Sequence, residues 1–251
     1  MTNILITGAG TGFGRGTAIE LASRGHDVTA ATLLESEAAE LAAAHPELAT
    51  MVLDVTDPAQ VEAVADRAID VLVNNAGRGL MAPLGNVPLD EVRKTFDVNV
   101  FGMLAMCQAV IPGMKQRGSG RIINVSSISG VISDAVSAPY AMTKHAVEAL
   151  TLGLRAELAP HGIDVTKINP GPYLTGFNDR MVDGIEQFIE PGDESTVAAR
   201  DFVRDIMQNQ ADPGEIVQAI ADLAEAETTP PETFLPAGIK EMLDAVRAAV
   251  S

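Results

Sequence analysis

The chain has 251 residues, 47% of them hydrophobic and 20% charged, enough for one large domain with a substantial core. Its formal charge of −17 argues against nucleic acid or an anionic membrane surface as partner, and disfavours a large acidic carrier protein as substrate donor. A single cysteine, Cys107, excludes an internal disulfide, and four scattered histidines with no cysteine cluster offer no metal-site spacing.

In chain order, short apolar runs alternate with helical patterns. "NILITGA" reads as a strand and Gly12 to Arg24 as a helix. "HDVTAAT" is a second strand, with Glu35 to Ala44 helical after it. "ATMVLDV" and "DVLVNNAG" are two more strands, separated by a helical stretch from Pro58 to Ala68. One long helix is predicted from Leu89 to Gln116. "GRIINVSS" is a strand, Ala138 to Ala159 a helix, "IDVTKINPG" a strand, "GEIVQAIADLAEA" a helix and "ETFLPAG" a last strand. Strands apolar at nearly every position are those buried on both faces. Alternation with helices of this length predicts βαβ units and an α/β fold: a doubly wound, Rossmann-type parallel sheet of about seven strands, helices on both faces, in a single domain spanning 1–251. The segment from Pro172 to Pro213 is too long for an ordinary connection and reads as a functional insert. The start, "MTNILITGAG", has no basic leader, and no apolar stretch approaches the roughly 20 residues that span a bilayer; a cytoplasmic protein is expected.

"TGAGTGFG", Thr7 to Gly14, follows the first strand and opens a helix. Such a turn lets backbone approach a pyrophosphate, with the helix N-terminus supplying N–H donors; a plain tight loop is the alternative. "NNAG" (Asn74 to Gly77) ends the fourth strand and "NVSS" (Asn124 to Ser127) the fifth. "YAMTK" (Tyr140 to Lys144) and "NPGPYLT" (Asn169 to Thr175) follow. Tyr140 and Lys144, four apart, share a helix face, and an ammonium there lowers a phenol's pKa from its usual value near 10 toward the working range.

Taken in this order the motifs resemble those of the short-chain dehydrogenase/reductase family, over nearly the whole chain. The resemblance implies an NAD(P)-dependent oxidoreductase interconverting an alcohol and a ketone or aldehyde. It makes Tyr140 the general acid/base, Ser127 the group that holds the substrate oxygen, Lys144 the partner of both the phenol and the nicotinamide ribose, and Asn99 the anchor of a proton relay. Ser126 in place of Ser127, and a merely capping Asn99, stand as alternatives. The same resemblance puts the cofactor against Gly8, Thr11, Gly12, Phe13, Gly14, Asn75, Ala76, Gly77, Pro170, Gly171, Tyr173 and Thr175. Asp54, with Val55 adjoining, is expected at the adenine, a turn-forming aspartate being the alternative. A second proline at position 172 departs from the family pattern. A dinucleotide-sensing protein without catalysis would be expected to lose Tyr140 or Lys144, and a 3-oxoacyl carrier protein reductase shares every motif but would gain from a basic docking patch.

At the end of the second strand an acid marks NAD and an arginine NADP. This chain has Thr32 and Leu33 there, with Glu35 and Glu37 beyond and Arg15 the one nearby cation. A 2′-phosphate would meet repulsion, whereas a 2′-hydroxyl can be served by Thr32, so NAD is expected over NADP. In the insert, Phe177, Met181, Ile185 and Phe188 recur at helical spacing. They predict a lid over a small or medium apolar substrate, with Met81, Val131 and Tyr173 as further wall residues; packing on the core or a second subunit is the alternative. The resemblance also implies a homodimer or homotetramer built on the two long helices.

Overall fold

The computed structural model describes residues 1–250. Seven strands make one parallel sheet in the order β3-β2-β1-β4-β5-β6-β7. They are β1 (Asn3–Thr7), β2 (Asp27–Thr32), β3 (Ala49–Val52), β4 (Val71–Asn74), β5 (Gly120–Val125), β6 (Ile163–Pro170) and β7 (Glu232–Leu235). The order reverses between β1 and β4, which opens a crevice at the carboxyl ends of those strands. Register aligns Asn74, Asn124 and Lys167 across β4, β5 and β6, so the segments that leave these strands emerge side by side.

Successive strand residues point to opposite faces, and both faces are covered. Ile4 and Ile6 pack with α1 (Gly12–Ser23), α2 (Glu35–Ala44) and α9 (Gly214–Glu225) through Leu21, Leu41 and Ile220. Leu5 and Leu72 face the other way, onto α3 (Pro58–Ala65), α5 (Met103–Arg117) and α6 (Ala138–Leu158) through Val64, Met106 and Leu154. This is the expected three-layer, doubly wound α/β fold. Cys107 lies in the second core, where burial pushes its thiol up to about 12.

The expected long helix is helical throughout but not uniform. α4 (Leu89–Phe96) runs into a π-helical turn at Asp97–Gly102 and then into α5. Such bulges insert one residue into the ladder and re-aim the side chains beside them; Asn99 lies in this one, fully buried. By length and composition the 29-residue run Leu89–Arg117 suffices to cross a membrane, contrary to expectation. Here Met103, Met106, Cys107, Val110, Ile111 and Met114 are packed inward instead. The insert carries structure of its own: α7 (Phe177–Gly184), a 3₁₀ turn at Ile185–Phe188, and α8 (Glu194–Ile206). A closing helix, α10 (Ile239–Val250), follows β7 and was not anticipated from the sequence.

Candidate active site

The turn after β1 is shaped by glycine. Gly8 and Gly12 have φ of +64° and +55°, which side chains rarely adopt. A Cβ on Gly8 would come within 2.7 Å of the Ala76 backbone. The Thr7 hydroxyl accepts from the backbone N–H of Asn75 and of Ala76, both at 3.0 Å. The Asn75 amide donates back to the carbonyls of Thr7 and Gly8 at 2.9 and 3.0 Å. These bonds tie the ends of β1 and β4 across the crevice. Thr11, the residue before α1, makes no side-chain cap, and the first turn of α1 holds no acid. That helix start therefore keeps N–H donors and partial positive charge directed at the cleft, which suits a pyrophosphate.

The chemical end lies beyond β5. Asp134 accepts from the backbone of Val136 and Ser137 and from the Ser137 hydroxyl, fixing the chain as it enters α6. Tyr140 and Lys144 then enter the cleft from one face of α6, both buried, with the ammonium 5.7 Å from the phenol ring centre. Ser127 faces Tyr140, and its hydroxyl also accepts from the Ser129 N–H at 3.1 Å. The Ser126 hydroxyl is instead donated to the Glu148 carboxylate at 2.5 Å, so of the two serines Ser127 is the one directed at the phenol. Asn99 is saturated: it accepts from Arg78 N–H at 2.7 Å and donates to the Arg78 carbonyl at 2.9 Å and the Thr143 hydroxyl at 3.0 Å. It clamps the segment after β4 to α6.

The electrostatics differ from the sequence-based expectation. Burial raises the Tyr140 phenol above its usual value, and the Ser127 hydroxyl offsets this only in part. Lys144 does not bring it down, because the ammonium is itself desolvated and donates to the Val125 carbonyl at 2.8 Å. Burial lowers Lys144 to about 8, opposed by the charge of Glu148.

The insert roofs this floor. Met181, Val182 and Ile185 of the insert join Met81, Val136 and Tyr140 in one apolar cluster, with Phe177 packed against it. The Tyr140 and Phe177 rings are 5.9 Å apart. Phe188 is outside this cluster, because the 3₁₀ turn breaks the helical spacing that grouped it with Ile185. Tyr173 is buried, stacked edge-on against Phe13 at 5.7 Å, and its hydroxyl donates to Glu215 at 2.7 Å.

Most residues expected at the site line one cleft: Gly8, Thr11, Gly12, Phe13, Asn75, Ala76, Gly77, Met81, Ser127, Tyr140, Lys144, Pro170, Gly171, Tyr173, Thr175, Phe177 and Met181. Six do not. Gly14 is packed under Asn75 and the Gly8 carbonyl. Thr32 is fully buried and donates its hydroxyl to the Leu34 carbonyl at 3.0 Å. Asp54 accepts from the Thr56 N–H and hydroxyl in a local turn, and Val55 packs on Gly102. Asn99 acts from behind α6, and Val131 lies outside the lining. The cleft also takes in Leu33 and Glu37, known from the chain only as lying at or beyond the end of β2, and Arg180, which no sequence motif singled out. Glu37, in the first turn of α2, lays its carboxylate against Gly10, where a Cβ would collide with it. Arg15, by contrast, is paired with Glu40 at 2.9 Å. No cluster of potential metal ligands occurs among the described residues.

The family profile described as short chain dehydrogenase matches residues 2–186. The chain is 35% identical to an uncharacterized oxidoreductase, YusZ, of Bacillus subtilis, over 88% of this chain and 83% of that one. It is 32% identical to human retinol dehydrogenase 8, over 91% and 79%. A gluconate 5-dehydrogenase from Burkholderia cenocepacia, solved in complex with NADP and tartrate, superposes with a TM-score of 0.80 at 32% identity, over 96% and 95%. Sequence match, sheet order and the cleft at the switch point agree, and this chain belongs to the short-chain dehydrogenase family.

Proposed function

We propose that this NAD(P)-dependent oxidoreductase interconverts a small or medium apolar secondary alcohol and its ketone, with Tyr140 moving the proton. The observation that carries this reading is the meeting of Ser127, Tyr140 and Lys144 on a polar floor under an apolar roof of Phe177, Met181 and Met81. The glycine turn and the uncapped start of α1 would hold the pyrophosphate, and Lys144 would reach the nicotinamide ribose. The bound cofactor supplies or accepts the hydride. Ser127 hydrogen-bonds the carbonyl oxygen as negative charge develops there. Tyr140, kept protonated by burial, donates its proton to that oxygen in the reducing direction and recovers it from the alcohol in the other. The roof excludes water and selects against charged substrates. Retinol dehydrogenase 8 is named for an apolar alcohol and gluconate 5-dehydrogenase for a polar one, so a substrate panel must contain both kinds. Turnover of apolar ketones and alcohols, followed at the nicotinamide absorbance, supports the reading; activity confined to sugar acids overturns it.

For the dinucleotide we favour NAD. Glu37 lines the cleft just past β2, its carboxylate against Gly10 with one oxygen accepting from the Leu34 N–H at 3.2 Å, and Arg15 is already paired with Glu40. A carboxylate accepts from ribose hydroxyls and repels a 2′-phosphate. Comparing kcat/KM for the two dinucleotides tests this, with Glu37→Gln expected to raise the relative use of NADP about tenfold, equal to about 1.4 kcal/mol. A wild-type preference for NADP would refute it. For assembly, Phe101 beside α5 and Met142 and Leu152 on α6 are exposed apolar side chains on the two long helical runs. They support a homodimer or homotetramer, which the molar mass in solution tests.

A further inference from the structure

Tyr140, Lys144 and Glu148 succeed one another at four-residue steps on α6, so the third side chain continues the line of the first two. Glu148 is well buried, with 14% of its side chain exposed, and its carboxylate gathers three strand-end groups. One oxygen accepts from the Ser126 hydroxyl at 2.5 Å and from the Asn169 amide at 2.8 Å. The other pairs with Lys167 at 2.8 Å, whose side chain is 3% exposed. The same Asn169 amide donates to the Ser127 carbonyl at 3.1 Å. Gly130 completes the packing: a Cβ there would lie 2.8 Å from the carboxylate and 3.0 Å from the Ser126 hydroxyl.

We propose that Glu148 is a positioning residue for the reaction: its carboxylate, held by Ser126, Asn169 and Lys167, sets the segment that carries Ser127. The inference rests on the functional reading above, in which Ser127 and Lys144 act on substrate and cofactor. The serine's loop leaves β5 and returns to α6 with little regular structure, so its placement depends on such cross-links. The carboxylate stands where burial would otherwise favour neutral Lys144, and it opposes that loss. Other ionisable groups surround it. Lys167 of β6 bridges Glu148 and, at 3.3 Å, Glu232 of β7, which in turn pairs with Lys240 of α10. Tyr140 lies beyond Lys144 on α6, and Glu37 and Arg180 are the other charged groups lining the cleft. Glu148 is the carboxylate whose charge acts on Lys144.

The test is Glu148→Gln in the full-length enzyme, assayed for ketone reduction against pH with Tyr140→Phe alongside. Misplacing Ser127 is expected to lower kcat about tenfold or more. Loss of the negative charge is expected to move the alkaline fall of kcat/KM to lower pH by about one unit. Glu148→Asp, which keeps the charge but shortens the reach, should retain the wild-type alkaline limb while still losing kcat. Because a lone buried Lys167 would destabilise the single variant, the pair Glu148→Gln with Lys167→Met removes both charges; the same lowered kcat is expected of it, with a smaller shift of the alkaline limb because the lost cation offsets the lost anion. Ser126→Ala isolates the serine's placement: kcat falls with the pH profile in place. Wild-type kcat and pH profile in folded variants, with Tyr140→Phe inactive, overturn the role of Glu148 alone. An active Tyr140→Phe overturns the reading of the site itself.

Discussion

The floor and the roof of the cleft hold the substrate space by different physics. The floor is made of strand ends and α6, cross-linked by directional bonds: Asn99 to Arg78 and Thr143, Asn75 to Thr7 and Gly8, Ser126 and Asn169 to Glu148. The roof, α7 with its following turn, meets the floor through Phe177, Met181 and Ile185, by non-directional apolar contact. Directional bonds hold atoms to the tolerance that proton transfer needs. Apolar contact excludes water and selects by shape, and it tolerates exchange of one hydrophobe for another. On the proposed function, chemistry belongs to the floor and selectivity to the roof.

The sharpest break of this division is Tyr140→Phe, which keeps the ring that packs on Phe177 and removes the proposed proton carrier. Turnover should fall by about a thousandfold, within the range of general acid–base catalysis, with dinucleotide affinity largely kept. Binding titration beside kinetics checks both halves. Lys144→Met should also be nearly inactive, and it should lose dinucleotide affinity as well. Its stability carries a sign. Lys144 is lowered to about 8 in the folded protein from an ordinary value of 10.5, so the unfolded chain binds more protons between those values and stability rises with pH across that window. The burial penalty is present at pH 7 and relieved above about pH 10, so any gain in Tm from Lys144→Met should be greatest at neutral pH and shrink as the pH rises.

On the roof, Phe177→Ala with Met181→Ala should raise KM for apolar substrates about tenfold while kcat changes less. Equal loss of kcat would place the roof in the chemistry and erase the distinction. The smallest effect expected is in pH dependence. Because burial holds Tyr140 protonated across pH 7 to 10, ketone reduction should slow over that range only as Lys144, lowered to about 8, loses its charge. A flat profile would remove Lys144 as the titrating group.

Much of this was legible from the chain. Continuous apolar strands such as "ILI" in β1 and "VLV" in β4, alternating with helices, determined a parallel sheet covered on both faces, since only burial on two sides tolerates them. Motifs at strand ends determined where the cleft lies, because parallel strands present their carboxyl ends together. The four-residue step from Tyr140 to Lys144 and the apolar spacing of Phe177, Met181 and Ile185 are local facts of the helix. The tertiary structure decided whatever depends on partners far apart in sequence. The Ser126 hydroxyl goes to Glu148, leaving Ser127 for the phenol. Thr32 turns inward while Glu37, five residues on, reaches the cleft. Arg15 is taken by Glu40. Lys144 is aimed at the Val125 carbonyl, so burial rather than its charge governs Tyr140. Sequence spacing specifies which residues share a face; hydrogen bonding and desolvation depend on what the fold brings against that face, and only the packed chain supplies it.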